Sequence, residues 1–248
     1  MKKLFFFFMT LMAWQLIIFV AHIPEFLLPG PLSMLQTLWM KKSYLLHHAG
    51  ISLVEIMLGL FMAFCWAIFL SVWMDYSKGL SDFLMPYLIL LKNIPIFVLA
   101  PLLMLWCGHG IMPKAILISI SAMMPMTIAF YDGLQSAACV HKDFLSCIFP
   151  YSWGRVLIFM RAPYALLHGL TGCRLAFMHA PMSVIACDWI GSSEGLGYVM
   201  MLCYGRLDLP LMLSTLALLL GLSISLYFMF VYVERAIRIK ILGCENVL

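Results

Sequence analysis

Two cations stand inside otherwise apolar runs of this 248-residue chain. Lys92 is followed by Asn93 and Pro95 within the run 83–107, and Arg174 stands near the start of the run 170–190. Turned to lipid at a helix centre, such a charge costs about 2.5–3.5 kcal/mol. Each must therefore face protein or water, or reach an interface. Lys92 reads either as a charge beside a solute path or as a lysine snorkelling to the membrane surface. Arg174, about one turn into its run, has the same two readings, with the interfacial one stronger. Pro95 removes a backbone donor and clashes with the preceding turn, and Pro125 sits inside the next run. Such breaks are tolerated where the freed groups face protein or a water-filled path. Lys92, Asn93, Pro95, Pro125 and Arg174 are thus the candidate path residues.

Catalytic chemistry finds little to work with. The sequence has no G-x-x-x-x-G-K-[S/T] phosphate loop, no H-E-x-x-H and no G-x-S-x-G. Its eleven acids are spread among different segments. Glu55 and Asp188 come closest to lying within apolar runs, toward their ends. Asp188 reads as a solvated or helix-pairing acid. His179 precedes it by about 13 Å along a helix, too far for a catalytic pair. None of the eight cysteines forms a C-x-x-C pair, and His47 and His48 have no third ligand nearby, so no metal site is expected. The 21 methionines are dispersed through apolar runs, as packing residues are.

The chain is 65% hydrophobic and 10% charged, with a mean hydropathy of +1.03. Soluble domains carry about 25% charged residues, so the solvent for this surface is lipid. The formal charge of +4 implies no nucleic-acid partner. The expected fold is a single all-α membrane domain, 1–248, with about six spans: 1–21, 51–74, 83–107 (interrupted), 112–131, 170–190 and 209–233. The first opens with Lys2 and Lys3. Signal cleavage after Ala21 would place the bulky Phe19 at the third position before the cut, so an uncleaved span or anchor is expected. Between the first two spans lies a proline-rich loop and a short surface helix. Positive charge orients the spans: Lys2, Lys3, Lys78, Lys142, Arg155, Arg161, Arg235, Arg238 and Lys240 fall on one side. Lys41, Lys42, Lys114 and Arg206 fall on the other. This predicts both termini, and the segment 132–161, on the cytoplasmic side.

That segment is the longest polar interruption. Its first half, roughly 135–149, is patterned as a short amphipathic helix: Ala138, Phe144, Leu145, Ile148 and Phe149 are apolar, whereas His141, Lys142 and Asp143 are not. It is too polar to cross lipid and has too few basic residues for a strong headgroup binder. With Tyr151 and Trp153 it offers aromatic anchors of the kind found at protein interfaces.

Several stretches resemble the permease subunit of bacterial ATP-binding-cassette importers, in the branch serving nitrate, sulfonates, taurine and thiamine-precursor pyrimidines. LPGPLSMLQTL resembles the branch's entry to its surface helix, and LKNIPIFVLAPLLMLWCGHG its proline-interrupted span. TGCRLA and GSSEGLGYVM resemble its fifth span and the glycine loop that follows. The likeness covers roughly 28–240, with 51–240 as the permease core. It implies that 137–153 is a coupling helix gripped by a separate ATPase, with Asp143, Phe144, Leu145, Ser146, Ile148, Phe149, Pro150, Tyr151 and Trp153 at the contact. It implies two permease copies in the bacterial inner membrane, a binding protein delivering solute from outside, and ATP and magnesium held by the ATPase alone. This chain itself would be no enzyme and would hold no cofactor. The sequence departs from the family's Glu-Ala-Ala motif, with Phe144, Leu145 and Ser146 at those positions and Pro150 at the glycine. It also has Glu55 where the branch more often has Arg. The alternatives are a self-contained channel or ion-coupled carrier, which would need paired acids within spans, and a membrane enzyme.

Overall fold

The computed structural model describes residues 2–140 and 153–242, and these are helical almost throughout. In chain order the helices are α1 (Lys2–Ala21), α2 (Pro31–Met40), α3 (Lys42–Tyr76), α4 (Lys78–Asn93), α5 (Ile96–Cys107) and α6 (Ile111–Val140). After residues 141–152 come α7 (Trp153–Val156), a π-helical turn (Leu157–Arg161), α8 (Ala162–Gly191), α9 (Leu196–Arg206) and α10 (Leu209–Leu242).

Among the described residues, four stretches are long and apolar enough to cross a membrane: Lys42–Tyr76, Ile111–Ala137, Gly154–Gly191 and Leu209–Ile241. The pair α4 and α5 counts as a fifth only if its two halves, bent by 98°, form one broken span. The apolar part of α1, Phe8–Ala21, is shorter than the others. Topology argues that α4 and α5 do cross. Glycine 59 of α3 lies against Ile118 of α6, and Asp75 of α3 accepts a hydrogen bond from Gln135 of α6. The two helices therefore run parallel. The chain must return between them over about 30 Å, the rise of twenty helical residues, and only α4 and α5 are available to carry it. The break falls where the sequence puts Pro95. Ile94 before it is extended, as a residue preceding proline prefers, and α5 restarts directly after.

The α3 helix starts nine residues earlier than the hydropathy of the sequence suggests, at Lys42 rather than Ile51. At about 52 Å it is longer than a hydrocarbon core of about 30 Å. The Gly- and Ser-rich stretch after Gly191, read from sequence as a loop, holds α9. The amphipathic helix expected over 135–149 is different at its start: residues 135–140 continue α6. Asp143, Phe144, Leu145, Ser146, Ile148, Phe149, Pro150 and Tyr151 lie outside the described residues. Trp153 opens α7, its side chain also outside them.

The core is the α3–α6–α8 trio. Ile56, Leu60, Ala63 and Ala67 of α3 meet Ile118, Ala122, Met126 and Phe130 of α6 and Cys173, Ala176, Ala180 and Val184 of α8, all buried. Spacings of three and four put each set on one face. The α6–α8 contact is close because small residues line it, the usual solution where lipid gives no hydrophobic drive between helices. A Cβ on Gly172 would sit 2.5 Å from the Pro125 carbonyl oxygen and 2.7 Å from the Ala129 Cβ. Gly172→Val should therefore lower the melting temperature in detergent by the equivalent of 1–3 kcal/mol, the usual range of ~1–3 kcal/mol for overpacking. Gly221→Val, at a site with no neighbour within 4 Å, should melt close to wild type. Equal melting of the two variants would contradict this packing.

Candidate functional site

Three helices each contribute one charge to a buried cluster at one end of the trio. Lys114 of α6 places Nζ 2.7 Å from Glu55 Oε1 of α3 and 2.6 Å from Asp188 Oδ1 of α8. It also donates to Ser192 Oγ at 2.6 Å and to the Glu194 carbonyl at 3.2 Å. The three side chains are at most 5% exposed. Glu55 Oε2 has no hydrogen-bond partner among the described residues. One ammonium thus holds two carboxylates and a loop.

The same cluster explains why the GSSEGLG stretch folds as it does. A helix leaves its first backbone donors unpaired. For α9 these donors are satisfied from other helices: Gly195 N–H by His48 Nδ1 at 3.2 Å, Leu196 N–H by Ser52 Oγ at 2.8 Å and Gly197 N–H by Asp188 Oδ2 at 3.1 Å. His48 accepts at Nδ1 and so carries its proton on the other ring nitrogen. Gly195 has φ +109 and lies against the Asp188 carboxylate, where only glycine fits. Sequence reading counts Lys114 among the outer-side charges at the start of the span 112–131 and leaves Glu55 and Asp188 apart near span ends. The structure joins all three.

Beneath the α4–α5 break lies a cavity of about 450 Å³. Ile94, Pro95, Ile96 and Phe97 form one wall, Leu117, Ser121, Met124 and Pro125 of α6 a second, and His179, Met182, Ser183 and Ala186 of α8 a third. Ser121 and Ser183 share a hydrogen bond at 2.9 Å. Pro125 lacks the N–H that would bond the Ser121 carbonyl. Of the residues singled out from sequence, Pro95 and Pro125 meet here. Asn93, at the end of α4, is exposed and donates to the Ile89 carbonyl at 3.1 Å. Lys92 lies one residue past the lining Leu91, its side chain outside the described residues. Arg174 is elsewhere: its Nη1 is 3.7 Å from Glu234 of α10, which also pairs with Arg238 at 2.8 Å. His179 is exposed and on the same unbroken helix as Asp188, so the two do not form a pair. No group of three metal-binding side chains occurs among the described residues.

A bundle of spans with a broken helix over a cavity is the geometry of a path through a membrane. A family model described as "Binding-protein-dependent transport system inner membrane component" matches residues 55–239. A Haemophilus influenzae protein described as a "Probable ABC transporter permease protein" is 35% identical over 218 residues, 88% of this chain and 89% of that one. The formylaminopyrimidine transport permease protein ThiX of Halalkalibacterium halodurans is 29% identical over 196 residues, 78% of this chain and 77% of its own length. Among solved structures, inward-facing conformations of the MetNI methionine ABC transporter superpose with a TM-score of 0.67 at 14% identity, over 78% of this chain and 95% of that one. The chain belongs to the binding-protein-dependent transport system inner membrane component family. It is an ABC importer permease, a transport subunit and not an enzyme.

Replacing Lys114 by Met would leave two carboxylates buried without a cation. Breaking a buried ion pair from one side costs about 3–5 kcal/mol, so Lys114→Met should melt far below wild type. Adding Glu55→Gln and Asp188→Asn should recover much of the loss. Wild-type melting of the single variant would show that the cluster does not hold the bundle.

Proposed function

We propose that two copies of this chain line the path of an importer for a small uncharged heteroaromatic solute, of the aminopyrimidine kind. The observation carrying this reading is the cavity lining. Its described residues are apolar apart from His179 and the Ser121–Ser183 pair, with no Lys, Arg, Asp or Glu among them. A desolvated sulfonate or nitrate needs a cation or several donors. Of the cations whose side chains are described, Lys114 is paired with two carboxylates and Arg174 with Glu234. A flat neutral ring needs apolar walls and a few polar groups. The relative named for formylaminopyrimidine transport supports the same choice.

In this reading a separate ATPase, holding ATP and magnesium, grips the segment 137–153, and a binding protein delivers solute at the Lys114 end. The bias of basic residues puts the termini and the Asp75 end of the trio in the cytoplasm. The outward faces of α3 and α10, which carry Phe61, Phe69, Phe228 and Tyr232 in exposed positions, meet lipid or the second copy. Lys92, Asn93, Pro95 and Pro125 stay as path residues in this reading.

The test is uptake into proteoliposomes holding this chain, its ATPase and its binding protein, with formylaminopyrimidine or an aliphatic sulfonate supplied at equal concentration. The pyrimidine should accumulate and the sulfonate should not. Met182→Trp, which fills the cavity from an exposed position, should cut pyrimidine uptake about tenfold, the effect of roughly 1.4 kcal/mol on a barrier. Accumulation of the sulfonate alone would overturn the substrate assignment.

A further inference from the structure

The end of the trio opposite Lys114 carries a second buried charge. Asp75, the penultimate residue of α3, has a fully buried side chain. Its Oδ1 accepts from Gln135 Nε2 of α6 at 3.0 Å. Arg161 Nη1, on the π-helical turn, donates to Oδ1 at 2.9 Å and to Oδ2 at 2.7 Å. These two donors have one thing in common. Gln135 lies shortly before the segment 141–152, and Arg161 shortly after it. Both flanks of the segment therefore hold the same carboxylate.

Three features argue against a merely static pair. A carboxylate in the last turn of a helix stands against the helix dipole, so Asp75 depends on Arg161 and Gln135 for compensation. Arg161 is placed by a π turn, and such turns frequently mark functional sites. Its Nη1 serves both oxygens, while its buried Nε has no partner among the described residues. A second, fork-like grip through Nε and Nη is therefore open to the same pair if the π turn shifts against α3. Beyond Asp75 the connection is short. Ser77 alone separates α3 from α4, and Ser81 of α4 donates to the Tyr131 hydroxyl of α6 at 2.7 Å. The α4 helix leads to Leu91, Ile94 and Pro95, which line the cavity.

We infer that Asp75, Arg161 and Gln135 form the joint that passes the action of the ATPase to α3 and to the cavity wall. The inference rests on the proposed ATPase contact at 137–153, and it makes Arg161 a positioning residue for transport. The joint holds the end of α3 to α6 and to the π-helical turn. When the ATPase shifts α6 and the π-helical turn, Gln135 and Arg161 carry Asp75 along.

The test uses the full complex of this chain, its ATPase and its binding protein in proteoliposomes with formylaminopyrimidine. Three quantities are read: co-purification of the ATPase, melting temperature, and solute transported per ATP hydrolysed. Arg161→Gln should still co-purify with the ATPase but transport at least tenfold less solute per ATP, and Arg161→Lys, which keeps a donor and the charge, should restore part of that ratio. Gln135→Met leaves the ion pair intact and should lower the ratio about threefold, which keeps the proposal testable if Arg161→Gln does not insert. Arg238→Gln breaks a comparable pair to Glu234 that is not tied to the segment; it should lower melting and leave the ratio unchanged. A wild-type ratio in both Arg161→Gln and Gln135→Met would overturn the joint, as would an equal fall in the ratio for Arg238→Gln. Failure of the wild-type chain to co-purify with its ATPase would remove the functional reading beneath it.

Discussion

The architecture depends on buried charge at both ends of three packed helices. At one end Lys114 of α6 holds Glu55 of α3 and Asp188 of α8; at the other Arg161, at the entry to α8, holds Asp75 of α3, with Gln135 of α6 beside it. Apolar faces alone slide, because one Leu or Ala face packs on another in several registers. Buried ions do not, since an unpaired charge is far more costly than a shifted methyl group. The two clusters therefore fix the axial register of α3, α6 and α8. Between them small residues let α6 and α8 come close, with Gly133 against the Ala165 backbone and Gly172 against the Pro125 carbonyl.

That register has a topological consequence. With α3 and α6 parallel, the intervening chain must cross back, and it does so through a helix broken at Pro95. The break opens the cavity because two short helices meeting at a bend cannot fill the space that a straight span would. Pro125 of α6 and the Ser121–Ser183 pair face the same space. Path and scaffold are thus made by the same constraint, and in the proposed coupling movement at the Asp75 end of α3 reaches the cavity wall through α4.

Much of this was readable before any coordinates. Lipid-facing helices announce themselves because both faces are apolar, so 111–137 and 209–241 were placed nearly as found. Pro95, preceded by a polar pair, marked the broken span. The polar parts were harder. Lys114, the fourth residue of its helix, reads as one more outer-side charge; its meaning appears only when Glu55 and Asp188, distant in sequence, reach the same depth. The first turns of α3 fall outside the second span expected from sequence, which starts at 51, yet His48 is there, with Ser52, to cap α9. The α9 helix was hidden for the same reason: its caps come from other helices, not from its own neighbours. Arg174, singled out for the path, lies against Glu234, a partner that no local pattern near 174 suggests. The free acids that an ion-coupled carrier would need are, in the structure, consumed by Lys114.

The proposed role makes the chain a passive path worked from outside itself. The direct measurement is uphill uptake of formylaminopyrimidine by proteoliposomes that contain this chain with its binding protein, with and without the ATPase and ATP. No accumulation without the ATPase, and accumulation on adding it with ATP, is the predicted result. Concentrative uptake by the chain without the ATPase, driven by a proton or sodium gradient, would contradict the claim.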